Sequence, residues 1–177
     1  IKNLPIKERY QWTRKISAIT HGHIRSVLAC YYYLEFVRLI LQEVSKEDAY
    51  RQLQKDLPPF LTGIGIENSE IEQFDRFLVG DLASLHEDDI QSDGYVLHTL
   101  EASMWCLLTT DNFRDAVLKA VNLGGDTDTT GAVVGGLAGL VFGAEGISKD
   151  WLDALLRRED IEDLAKRMAM SLEKGTG

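Results

Sequence analysis

Apolar positions recur along this chain with a helical period. In 23–44, "HIRSVLACYYYLEFVRLILQEV", residues Ile24, Val27, Leu28, Tyr31, Leu34, Val37 and Leu41 share one face of a 3.6-residue repeat. Ala29, Cys30, Tyr33 and Phe36 make the other faces apolar too, which predicts a central helix. A second helix, "SKEDAYRQLQKDL", follows with Ser45 as N-cap and Asp48 in the capping-box position, and Pro58 and Pro59 are expected to stop it. "FLTGIGIENSE" reads as a loop. Helix is expected to resume near Asn68 or Ser69 and to end at Gly80, before a second polar loop, "HEDDIQSDG".

The next segment, "GYVLHTLEASMWCLLTT", places Val96, Leu97, Leu100, Met104 and Leu107 or Leu108 on one side of a helix. Asp111 is the expected cap of "NFRDAVLKAVNL", which ends at Gly124, and another helix opens at Asp126. Ser148 caps "KDWLDALL", and "REDIEDLAKRMAMSLEK" is a terminal amphipathic helix. No strand, repeat or low-complexity tract is visible, so the expected fold class is all-α.

A length of 177 residues suits one domain with a sizeable core. Apolar residues make up 45% and charged residues 27%, ordinary for a globular protein. The formal net charge of -9 opposes non-specific attraction to nucleic acid or an anionic membrane, and neither is an expected partner. The longest apolar run, Gly131 to Gly143, is too short and too rich in glycine to span a bilayer. Cys30 and Cys106 lie far apart in apolar helical patterns and read as reduced core thiols, consistent with a cytoplasmic setting. The chain opens with isoleucine and a polar stretch free of signal-peptide pattern, and is expected to be a portion or a processed form of a longer product.

The stretch "NLGGDTDTTGAVVGGLAG" carries the candidate chemistry. Gly124 and Gly125 let the chain turn sharply into Asp126 at an N-cap position, with Asp128 in the first turn, where the helix dipole favours a carboxylate. A capped helix accounts for one aspartate well and the other adequately. Because Asp126 stands outside the helix, its side chain can also swing toward Asp128. Two carboxylates and the Thr129 hydroxyl would then form a hard oxygen set suited to Mg2+, Mn2+ or Ca2+. The residues alone leave cap and metal site both open. Behind the turn, Gly131, Gly135, Gly139 and Gly143 form a stripe with Gly136 beside it, and close approach of another backbone is expected there.

"NLGGDTDTTGAVVGGLAGLVFG" strongly resembles the C-terminal metal motif of the ADP-ribosylglycohydrolases of the dinitrogenase-reductase-activating type. "SDGYVLHTLEASMWCLL" and "ITHGHIRSVLACYYYLEF" resemble two segments that precede it in that family. The resemblance runs from Ile19 to Gly143. It implies a compact orthogonal multi-helix hydrolase with two Mg2+ or Mn2+ ions, releasing ADP-ribose from an ADP-ribosylated side chain or a related ADP-ribosyl compound. On it, Asp126, Asp128 and Thr129 match metal ligands, His21 matches a histidine lining the ADP-ribose cleft, and Gly94 and Tyr95 match a stretch flanking the ligand. Here Asp93 intervenes between Ser92 and Gly94. His23 and His98 read as structural.

The family's Thr-Asp-Asp motif and its N-terminal acidic residue find no match, and "HEDDI" has no threonine before its aspartates. Residues 1–177 are therefore expected to be the C-terminal portion of a single ADP-ribosylglycohydrolase domain. A complementary N-terminal segment would supply the remaining ligands and the acid/base group, and the chain alone would be inactive. The alternative is a catalytically inactive relative that binds ADP-ribose.

Overall fold

The computed structural model describes residues 3–174, which form helices joined by turns and loops, with no strand among them. The order is α1 (Ile6–Ser17), α2 (Ile24–Ile40), α3 (Lys46–Gly63), α4 (Asn68–Ile71), α5 (Asp75–Leu78), α6 (Val96–Leu108), α7 (Phe113–Asn122), α8 (Thr127–Phe142), α9 (Lys149–Ala154) and α10 (Arg158–Lys174). Short 3-10 turns connect several of them.

Two helices organise the core. α6 is buried on nearly every side, from Leu97 through Leu107, and packs against α2, α7 and α8. α2 touches α1, α3, α6 and α8, as its all-round apolar pattern requires. Tyr31, Tyr32, Phe36, Phe74 and Phe77 are the largest fully buried side chains. α1, which the sequence pattern did not single out, is tied to α2 by a buried ion cluster. Glu35 accepts from Arg9 Nη2 at 2.8 Å and from Arg38 Nε at 2.9 Å.

Several sequence expectations need correction. α3 runs through Pro58 and Pro59 to Gly63. Each proline forfeits one intrahelical donor, but Leu57 and Leu61 are buried and hold the last turns on the core while Lys55 and Asp56 stand in solvent. The cap of α7 is Asn112, whose side chain accepts from Asp115 N–H at 2.9 Å, and not Asp111. Ser45 and Ser148 do cap α3 and α9.

The glycine stripe of α8 meets side chains rather than backbone. A Cβ on Gly131 would stand 3.2 Å from Val121, one on Gly136 2.8 Å from the Tyr33 hydroxyl, and Gly135 has nothing within 4 Å. Gly143 lies beyond the helix as its C-cap. Of the two thiols, Cys106 is buried, which pushes it up to about 12. Cys30 is exposed, because the face of α2 that carries it turns toward a large cavity. α10 leaves Ile161, Leu164 and Met168 exposed, and no helix among the described residues is long and apolar enough to cross a membrane.

Candidate metal and ligand site

Two motifs far apart in sequence are locked backbone to backbone. Ser92 Oγ donates to the Gly124 carbonyl at 2.8 Å, and Asp126 N–H donates to the Ser92 carbonyl at 2.7 Å. The fit leaves no room for side chains. A Cβ on Gly125 would overlap the Ser92 carbonyl, and one on Gly94, where φ is +84°, would stand 2.6 Å from Asp126 Oδ2. The loop before α6 thus lies directly on the turn that opens α8, with the Asp126 carboxylate against Gly94.

Asp126 occupies the N-cap position of α8, but its side chain caps nothing. Its carboxylate is turned instead toward Asp128. Contact with Asp126 first, and the Thr129 N–H at 3.0 Å second, hold Asp128 below the ordinary carboxylate range. Asp128 accepts from one first-turn N–H, while the Asp126 carboxylate makes no cap hydrogen bond and is open to a cation. Thr129 stands exposed beside them, while Thr130 is fully buried and its hydroxyl finds no partner among the described residues.

The donor chemistry fits a hard divalent ion, since Asp126, Asp128 and Thr129 offer oxygen only. The set is partial: among the described residues no group of three His, Cys, Asp or Glu side chains converges on one point.

A cavity of about 890 Å³ opens beside this turn, between α1, α2, α6 and α8. His21, Gly94, Tyr95 and Thr129 all line it, so four of the six sequence-predicted site residues border one cavity. Asp126 and Asp128 do not line it but stand against two residues that do, Gly94 and Thr129. His21 is exposed in the turn before α2, its Nδ1 at 3.1 Å from Thr20 Oγ1. His23 holds the structural post, capping α2 by accepting from Arg25 N–H.

The inserted Asp93 has a defined task. Its Oδ1 accepts from Tyr95 N–H at 3.0 Å and lies 2.8 Å from His98 Nδ1. The His98 contact first, and the Tyr95 N–H second, keep Asp93 below its ordinary value. Sequence reasoning missed Arg25, which lines the cavity, and Glu70, with which it pairs. Nothing in local pattern joins residues so distant in the chain. The Arg25 position, two residues after the capping histidine in the motif that holds His21, was the one available hint.

Comparison with known proteins bears on the family and the fold. The family ADP-ribosylglycohydrolase matches residues 3–176. The chain is 34% identical over 152 residues to an ADP-ribosylarginine hydrolase, Tri1, of Serratia proteamaculans, covering 86% of this chain and 38% of that protein. It is 40% identical over 65 residues to the ADP-ribosyl-[dinitrogen reductase] glycohydrolase of Rhodospirillum rubrum, covering 37% of this chain and 22% of that one. A solved structure, an ADP-ribosylglycohydrolase-related protein complex, superposes with a TM-score of 0.73 at 31% identity, over 93% of this chain and 53% of its own. The chain therefore spans well under two thirds of the relatives it matches. With a match over nearly its whole length, the chain belongs to the ADP-ribosylglycohydrolase family.

Proposed function

We propose that this chain supplies the C-terminal part of the active site of a divalent-metal-dependent hydrolase that releases ADP-ribose from an ADP-ribosylated side chain. The observation that carries the reading is the convergence of Asp126, Asp128 and Thr129 with Gly94 and Tyr95 beside one 890 Å³ cavity. The Serratia relative, named for ADP-ribosylarginine, favours a guanidinium N-glycosidic linkage as the bond cleaved.

Asp126, Asp128 and Thr129 would hold Mg2+ or Mn2+, with a second ion expected in the complete site. When bound, such ions fix ribose hydroxyls and activate water against the oxocarbenium-like centre at C1. Tyr95 offers a ring face at the mouth for the base or ribose. His21 offers a donor to a ribose or pyrophosphate oxygen. The acid/base group is assigned to the complementary N-terminal part of the fold. Trp12, Ile16 and Leu34, each about half exposed on the cavity wall, form the apolar surface on which that part would pack.

The test is release of ADP-ribose from an ADP-ribosylated arginine protein, followed with Mn2+, with Mg2+ and with chelator. The full-length protein should turn over only with metal, and the 177-residue chain alone should be silent until mixed with the complementary segment. Full metal-dependent turnover by the 177-residue chain alone would refute the partial-site assignment. Tight ADP-ribose binding without release by the full-length protein would instead favour a binding relative.

A further inference from the structure

Tyr95 is 39% exposed and sits just before α6, where a tyrosine ring ordinarily samples several rotamers. Here it is held at its backbone, its ring and its hydroxyl. Its N–H donates to Asp93, its ring meets His98 edge-on with centroids 5.0 Å apart, and its hydroxyl accepts from Arg25 Nη1 at 3.2 Å. Arg25 is itself fixed. Its Nε and Nη2 donate to the two carboxylate oxygens of Glu70 at 2.7 and 3.1 Å, leaving the remaining edge of the fork aimed at Tyr95. Three elements meet in this brace: α2 through Arg25, α4 through Glu70, and the loop before α6 through Tyr95.

Stability does not explain the arrangement. The Arg25 and Glu70 side chains are 30% and 23% exposed, and ion pairs with that much access to water contribute little to folding. Nor is the pair spare charge for a ligand phosphate, because the guanidinium fork is closed on Glu70. Its geometry serves Tyr95. We infer that Arg25, oriented by Glu70, is a positioning residue. It fixes the Tyr95 ring at the mouth of the cavity as a preformed stacking wall for ADP-ribose. The inference rests on the function proposed above.

Preorganisation removes the cost of immobilising a side chain on binding. A planar fork with two fixed bonds and one aimed bond is a property of arginine that lysine does not reproduce. The hydrogen bond from Arg25 also keeps Glu70 below the ordinary carboxylate range, so the pair stays charged at neutral pH.

The experiment is a double-mutant cycle in the full-length protein, with ADP-ribose titrated calorimetrically. Tyr95→Phe and Arg25→Met should each weaken binding by about three- to tenfold, with little change in melting temperature. The double variant should bind no worse than either single one, because both remove one connection. Arg25→Lys should fail to rescue. A ligand-free readout accompanies it: in the spectrum of ring-labelled tyrosine, the Tyr95 signal should be displaced by the His98 ring current and should move toward a free-tyrosine position in Arg25→Met. Additive losses in the cycle, or an unmoved Tyr95 signal in Arg25→Met, would overturn the inference. A signal that moves as expected in a protein that takes up no ADP-ribose would overturn the proposed function instead, and with it the ligand assigned to this wall.

Discussion

Replacing Gly94 by alanine isolates the contact between the loop before α6 and the acidic turn. Two costs arise together. An L-residue at φ +84° is strained by about 1–2 kcal/mol. The new methyl would also stand 2.6 Å from Asp126 Oδ2, far inside van der Waals contact, and the carboxylate must move. Gly124 separates the two effects. Its φ is +78°, nearly the same, yet a Cβ there meets nothing within 4 Å. Gly124→Ala should therefore show the strain alone, and Gly94→Ala the strain plus the displaced carboxylate.

Strain and displacement together amount to about 2–3 kcal/mol, which lowers the melting temperature by roughly 4–12 °C in a domain of this size, against about 2–8 °C for Gly124→Ala. The more telling difference is in the metal response. Scanning calorimetry of the full-length protein with increasing Mn2+ should show a reduced rise for Gly94→Ala and an intact rise for Gly124→Ala. If both variants respond to Mn2+ like wild type, Asp126 is not held for a metal by Gly94, and the reasoning fails.

Two further predictions concern buried charge. Glu35→Ala strands the Arg9 and Arg38 guanidiniums that now converge on it, and should cost about 3–5 kcal/mol in urea unfolding; a loss under about 1 kcal/mol would show the cluster to be incidental. Glu101 is buried with one oxygen on Arg76 at 2.9 Å and the other without a partner among the described residues, and burial raises its pKa while Arg76 pulls it back. The fold therefore favours its protonated form. That contribution is fully present below the ordinary carboxylate value and is lost as pH rises through the raised folded value. Glu101→Gln should melt with wild type near pH 4 and above it at pH 7; an equal gap at both pH values would count against this account.

Helix identity was legible in the sequence because apolar period and capping residues are local signals. Ser45 and Ser148 were read correctly, and the all-α class followed from the periodicity. The errors fall where tertiary contacts outweigh local rules. Pro58 and Pro59 stay helical because Leu57 and Leu61 anchor the turns around them. Cys30 is exposed because the apolar face of α2 carrying it borders a cavity rather than a neighbouring helix. At the site, the resemblance supplied Asp126, Asp128, Thr129, His21, Gly94 and Tyr95, and the turn chemistry explained why a carboxylate could be spared there. Asp93 looked like an interruption, and its bonds to Tyr95 and His98 exist only once the loop is folded. The Arg25–Glu70 pairing was not legible in local pattern, since its partners come from separate helices.

The central claim is that Asp128 is a metal ligand and not a helix-dipole residue. Its most direct test is the melting temperature of the full-length protein against Mn2+ concentration, for wild type and Asp128→Asn. Without metal the variant should melt close to wild type, because asparagine keeps a side-chain oxygen that can accept from the Thr129 N–H. At a hundredfold excess over the dissociation constant, binding to the folded state alone stabilises wild type by about 2.7 kcal/mol, and most of that gain should vanish in Asp128→Asn. Parallel curves for the two proteins would contradict the account and return the acidic turn to a helix cap.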